Sequence, residues 1–175
     1  MKRLLLVIDY QNDFVNGSLG CPQAAAIEDA LCAKLEARRA EGWDIAFTFD
    51  THHENYPATE EGKHLPVPHC LEGSEGWQLH GKVAGYCTAD TPRFCKETFG
   101  CAGLIPYLQE GGYETVELCG VVTSICVLSN AVLAKAALPN AQIIVDANCV
   151  AGGDDALSAK ALDILENLHT TILNR

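Results

Sequence analysis

Hydrophobic positions in this chain fall into short unbroken runs separated by stretches with helical spacing, an alternation that predicts strands and helices in turn. Arg3 to Ile8 is apolar after its first residue and stops at Asp9. Ala24 to Ala40 places Ile27, Leu31 and Leu35 at helical spacing behind Pro22, which suits the first position of a helix, and the pattern runs out near Gly42. Trp43 to Phe49 is rich in strand formers and ends on Asp50. Leu104 to Gln109 reads as a short helix stopped by Gly111-Gly112, and Val116 to Val121 as a buried strand interrupted at Gly120. The Ala- and Leu-rich stretch from Cys126 to Leu138 is apolar on almost every face, which predicts a buried helix capped by Thr123 or Ser124. Ala141 to Ala147 (strand), Asp155 to Leu168 (helix) and Thr170 to Leu173 (short strand) complete the series. Strands alternating with helices predict an α/β fold, a mostly parallel sheet with helices on both faces, within a single domain spanning 1–175.

Two stretches resist this pattern. Thr51 to His80 carries many prolines and glycines and five of the six histidines, as expected of a functional loop. Cys87 to Asp90 reads as a short extended piece ahead of Arg93 to Lys96.

Composition narrows the function classes. The formal charge is −11 and no Lys/Arg cluster is present, which argues against a nucleic acid or an anionic membrane as partner. The apolar run after Met1-Lys2-Arg3 is broken by Asp9, too soon for a signal peptide or a membrane span. Nine cysteines without a Cys-x-x-Cys pair argue for reduced thiols in a cytoplasm rather than a zinc ribbon or a disulfide framework.

In an open parallel sheet, ligands bind beyond the carboxyl ends of the strands. Asp9, Asp50, Lys96 and Gly120 all fall at such ends, and Cys126 follows Gly120 by six residues. A carboxylate, an ammonium and a thiol at one point make a coherent set for nucleophilic catalysis, with Asp9 as base, Lys96 as electrostatic partner and Cys126 as nucleophile. A thiol in the first turn of a helix would feel unpaired N–H groups and the positive end of the dipole, which favour thiolate, and the same N–H groups could hold an oxyanion. Asp50 and His52 lie two apart in an extended segment, so both can face one cation, with Glu61, His64 or His69 as a third ligand. His53, His80 and His169 read as solvated or packing residues. A non-catalytic metal- or thiol-binding protein is the rival of a different class.

Leu6-Val7-Ile8-Asp9-Tyr10-Gln11-Asn12-Asp13-Phe14, Phe94-Cys95-Lys96 and Gly120-Val121-Val122-Thr123-Ser124-Ile125-Cys126-Val127 resemble the signature segments of the isochorismatase-like cysteine hydrolases, in the same order along the chain. The resemblance implies a three-layer α/β/α sandwich with a six-stranded sheet and a catalytic triad of Asp9, Lys96 and Cys126. It also implies an oxyanion hole from the Val122 and Cys126 amides, a cis bond between Val121 and Val122, and assembly as a dimer or tetramer. Asp50-x-His52 and Pro68-His69-Cys70 resemble the metal site of the nicotinamidase branch. That likeness implies Asp50, His52, Glu61 and His69 as ligands of a divalent metal, zinc first, with iron or manganese as alternatives. It also implies that Phe14 contacts the substrate ring, and that the activity is hydrolysis of nicotinamide through a thioester. One departure is plain: Leu65-Pro66-Val67 stands where nicotinamidases carry an aromatic residue, which keeps other small amides or carbamoyl compounds in view as substrates.

Overall fold

The computed structural model describes residues 1–175. The central strand β1 (Arg3–Ile8) explains the layering. Its side chains alternate between two apolar clusters: Leu4, Leu6 and Ile8 enter one, Leu5 and Val7 the other, and all five are fully buried. At roughly 1.5–3 kcal/mol per buried aliphatic side chain, this strand alone anchors both faces of the sheet. The first cluster is closed by α5 (Leu104–Gly111), α6 (Leu128–Ala137) and α7 (Asp155–Asn167). Phe14 and Val15 of α1 (Asn12–Val15), Ala24 of α2 (Pro22–Ala26) and Leu31 and Leu35 of α3 (Glu28–Ala40) close the second.

The sheet has six strands in the order β3-β2-β1-β4-β5-β6, and every pairing is parallel. Besides β1 these are β2 (Asp44–Asp50), β3 (Arg93–Lys96), β4 (Thr115–Val121), β5 (Gln142–Ala151) and β6 (Thr171–Leu173). The strand order reverses between β1 and β4, so the crevice for a ligand opens beyond Ile8 and Val121. No helix is long and apolar enough to cross a membrane.

Three local expectations are corrected. The helix expected over Ala24–Ala40 breaks at Ile27, which ends α2 and starts α3, with Glu28 and Asp29 favourably placed in the new first turn. Cys87–Asp90 is not a strand: a 3-10 helix over Gly81–Tyr86 runs into a turn closed by Thr91 N–H donating to Thr88 O. The Thr51–His80 segment holds a 3-10 turn (Tyr56–Ala58) and α4 (Glu60–His64), whose Gly62 N–H donates to the capping Thr59 Oγ1 at 3.0 Å. Glu117, the one acid inside β4, is fully buried and neutralised by Lys34 at 2.7 Å and Arg38 at 2.6 Å.

Gly120 lies in β4 beside Ile8, immediately before Asp9. Its φ is +110°, and a Cβ there would sit 2.1 Å from the Ile8 carbonyl oxygen. Backbone of this kind is open almost only to glycine, so Gly120→Ala should cost about 2–3 kcal/mol. Urea denaturation of both proteins checks this, and equal midpoints would refute the steric argument.

Candidate active site

Asp9 follows β1 directly, at φ +45°, a left-handed conformation unusual for a residue with a side chain. Such outliers concentrate where function demands an otherwise unfavourable direction. Its carboxylate is fully buried: Thr48 Oγ1 donates to Oδ1 at 2.6 Å, and Lys96 Nζ stands 2.6 Å from Oδ2. The Lys96 ammonium is thus the close charge partner of Oδ2. Lys96, the last residue of β3, also donates to Asp50 Oδ1 at 3.0 Å and lies 3.5 Å from Cys126 Sγ. The three residues predicted at strand ends and at the β4 turn thus converge within a few ångströms, although β3 and β4 are separated by two strands.

Cys126 does not open an ordinary helix. It sits in a single π-type turn over Thr123–Val127 that precedes α6, the kind of irregular turn that accumulates at functional sites. Neither Thr123 nor Ser124 supplies a side-chain cap; Val122 is the capping position. The Val121-Val122 bond is cis, and the Val122 N–H has no acceptor within the protein. Burial pushes the thiol well above its ordinary value, the Asp9 carboxylate adds to the rise, and Lys96 only partly opposes it. Desolvation of the sulfur thus works against the thiolate that the helix dipole alone would favour. Burial also raises Asp9 against the pull of Lys96. For Lys96 burial would lower the value, but Asp9, Cys126 and Asp50 together outweigh it, so the ammonium holds its proton.

Asp50, His52, Glu61 and His69 form a second cluster, with one donor atom from each lying within 4.8 Å of the others. Asp50 Oδ2 is 3.0 Å from His52 Nε2 and 3.2 Å from His69 Nε2, and Glu61 Oε1 is 3.7 and 3.6 Å from the same nitrogens. His69 Nδ1 pairs with the Val67 carbonyl at 2.8 Å, which turns Nε2 inward. Glu61 Oε2 is buried without a partner, and burial, with the nearby Asp50 charge, pushes that carboxyl up. Two imidazoles and two carboxylates with an orphaned buried oxygen fit a divalent cation, and the mixed nitrogen and oxygen set suits zinc, iron or manganese. His64 is outside the cluster: its ring is largely exposed and pairs with the Glu60 carbonyl. His53 likewise points away, toward Glu72 and Glu97.

Several supporting residues escaped sequence reasoning. The buried Gln11 side chain accepts from Asp50 N–H at 2.8 Å and donates to Asp50 O at 2.9 Å, fixing the end of β2 against the end of β1. Asp13 Oδ2 accepts the Cys70 N–H at 2.7 Å and holds the turn carrying His69. Tyr56, almost fully buried, packs edge-on against His52 and His69 and donates to the Leu65 carbonyl. Asn130 ties Cys126 O to Phe99 O. Polar residues inside otherwise apolar runs were the available signal for Thr48 and Asn130.

A cavity of about 270 Å³ lies over both clusters, with Phe14, Asp50, Glu61, His69, Val122 and Cys126 in its lining. A larger cleft of about 500 Å³ at Met1, Glu114 and Gln142 lies by the amino ends of β4 and β5 and gathers no comparable set of groups.

Residues 3–174 match the family model described as the isochorismatase domain. The uncharacterized isochorismatase family protein PncA of Bacillus subtilis (strain 168) is 32% identical over 143 residues, covering 75% of this chain and 78% of that protein. The crystal structure of pyrazinamidase/nicotinamidase from Streptococcus mutans UA159 superposes with a TM-score of 0.89 at 30% identity, over 98% of this chain and 100% of that one. The crystal structure of nicotinamidase PncA from Bacillus subtilis does so at 0.87 and 29% identity, over 99% and 100%.

Proposed function

The chain belongs to the isochorismatase family, and from that premise we propose that it is a cysteine-dependent amidohydrolase of the nicotinamidase type, one hydrolase domain over 1–175 acting in the cytoplasm. The observation that carries this reading is the meeting of Asp9, Lys96 and Cys126 with four ligand-type side chains at one cavity.

In the reading, the Asp9 carboxylate takes the proton of Cys126 as the sulfur attacks the carboxamide carbon. The carbonyl oxygen becomes an oxyanion, received by the Val122 and Cys126 amides. The C–N bond then breaks, Asp9 returns its proton to the nitrogen, ammonia leaves and a thioester remains. Asp9 next takes a proton from water, whose oxygen adds to the thioester carbon; the C–S bond breaks, the carboxylate product leaves and the thiol is restored. Lys96 stays charged throughout and stabilises whichever anion Asp9 or Cys126 carries. Asp50, His52, Glu61 and His69 would hold a divalent metal, zinc first with iron or manganese as alternatives, which when bound would supply a point for a ring nitrogen to coordinate. Phe14, which packs edge-on against His69, would then contact the ring.

A second reading, hydrolysis of another small amide or carbamoyl compound, is favoured by Leu65-Pro66-Val67, which stands where nicotinamidases carry an aromatic residue. Ammonia release from nicotinamide, with metal content determined on the same purified sample, separates them. The expected result is release with about one metal ion per chain, and loss of both in His69→Ala. Metal without ammonia would move the assignment to the second reading; metal binding with no hydrolysis of any amide would leave only a binding protein.

A further inference from the structure

The cavity has a gradient that hydrolysis of a small ring amide does not require. At its floor Cys126, Asp50, His69 and Phe14 are buried. At its mouth Leu65, Phe99, Ile125 and Leu157 are 36%, 44%, 41% and 49% exposed. These four make up half of the large hydrophobic side chains that the chain leaves in solvent. An acidic chain that gathers apolar side chains around one opening has built an apolar surface there. No Lys or Arg lines the cavity, and Asp154 stands at the mouth beside Leu157.

The volume points the same way. An apolar cavity of about 150 Å³ suffices for one benzene ring, and this one is about 270 Å³. A ring carboxamide seated on the floor therefore brings its outer edge up to the leucine, isoleucine and phenylalanine side chains at the mouth.

We infer that Leu65, Phe99, Ile125 and Leu157 form a subsite for an apolar substituent on the substrate ring, so that this enzyme takes uncharged, alkyl-bearing heteroaromatic carboxamides and rejects anionic ones. The inference rests on the amidase reading above. Leu65 contributes an apolar wall beside Phe99, and Asp154 repels a carboxylate or phosphate on the ring.

The test measures kcat/KM on metal-loaded protein for nicotinamide and for its 5- and 6-propyl and 5- and 6-carboxylate derivatives. Burying one methylene is worth about fourfold, so one propyl derivative is expected to exceed nicotinamide by roughly tenfold, with both carboxylates far below it. If nicotinamide is cleaved and both propyl derivatives fall below it, the subsite is refuted while the amidase reading stands. If none of the five is cleaved, the nicotinamidase reading falls and the subsite with it, and the assignment moves to another small amide or carbamoyl compound. Leu157→Asp provides an independent check, because it should lower the propyl-to-parent ratio about tenfold, a quantity that general loss of folded protein would not move. A ratio that stays constant while sedimentation shows a smaller assembly would make the rim a contact between copies of the chain and overturn the proposal.

Discussion

Replacing Cys126 by Ala should lower amide hydrolysis by about four orders of magnitude or more, with the fold retained. The thiol is 4% exposed and lies 3.5 Å from Lys96 Nζ, and no other cysteine lines the cavity. The other eight cysteines are free but lie elsewhere, so none can substitute for it. Removing one sulfur from a turn held by Val127 N–H on Val122 O and by Asn130 on Cys126 O leaves those hydrogen bonds in place. Circular dichroism and the melting curve should therefore stay close to those of the parent. The result expected by mass spectrometry is equally specific: an acyl adduct trapped on the parent after rapid acid quench, and none on Cys126→Ala. A variant that kept full activity would remove the thioester from the mechanism.

Asp9→Asn should cost about a thousandfold or more in kcat, the range expected when a positioned general acid–base is lost. The amide keeps the shape and can still accept from Thr48. It cannot take the thiol proton, and it leaves the buried Lys96 with Asp50 as its only carboxylate partner. The pH profile distinguishes this from a structural effect. Because burial raises Asp9, the parent should lose kcat/KM as the pH falls through a value above the ordinary carboxylate range: the base is competent above that value and protonated below it. In Asp9→Asn that acid limb should vanish from whatever activity remains. An acid limb that persists unchanged would assign it to another group and free Asp9 from the role of base.

The metal cluster shows how far a linear reading reaches. Asp50 and His52 were legible together because strand geometry puts residues two apart on one face, and their side chains do meet at 3.0 Å. The third ligand could not be chosen from spacing alone. Glu61 and His64 are three residues apart on α4, yet Glu61 turns toward the histidines and His64 toward solvent, since Gly62 packs against the Tyr56 backbone and sets the rotation of that short helix. The resemblance to known hydrolases named Glu61; packing supplies the reason.

The state of Cys126 is the other instructive case. The strand, the following turn and the nucleophile were visible in the run from Val116 to Cys126, but the irregular turn and the desolvation of the sulfur were not. Burial of the sulfur is a property of neighbours distant in sequence, among them Asp9, Lys96 and Asp50.

The sequence by itself determined which segments form strands and which polar residues end them, because these follow from periodicity and local chemistry, while the resemblance of three segments to a known family assigned the thiol, carboxylate and ammonium to one class of hydrolase. The tertiary structure alone decided the strand order that brings β3 and β4 residues to one point, the rotation of α4 that selects Glu61, the supporting hydrogen bonds of Gln11, Thr48 and Asn130, and the apolar mouth above Cys126. Each of these is a matter of which distant side chains share a volume from which water is excluded, and local sequence carries no record of that.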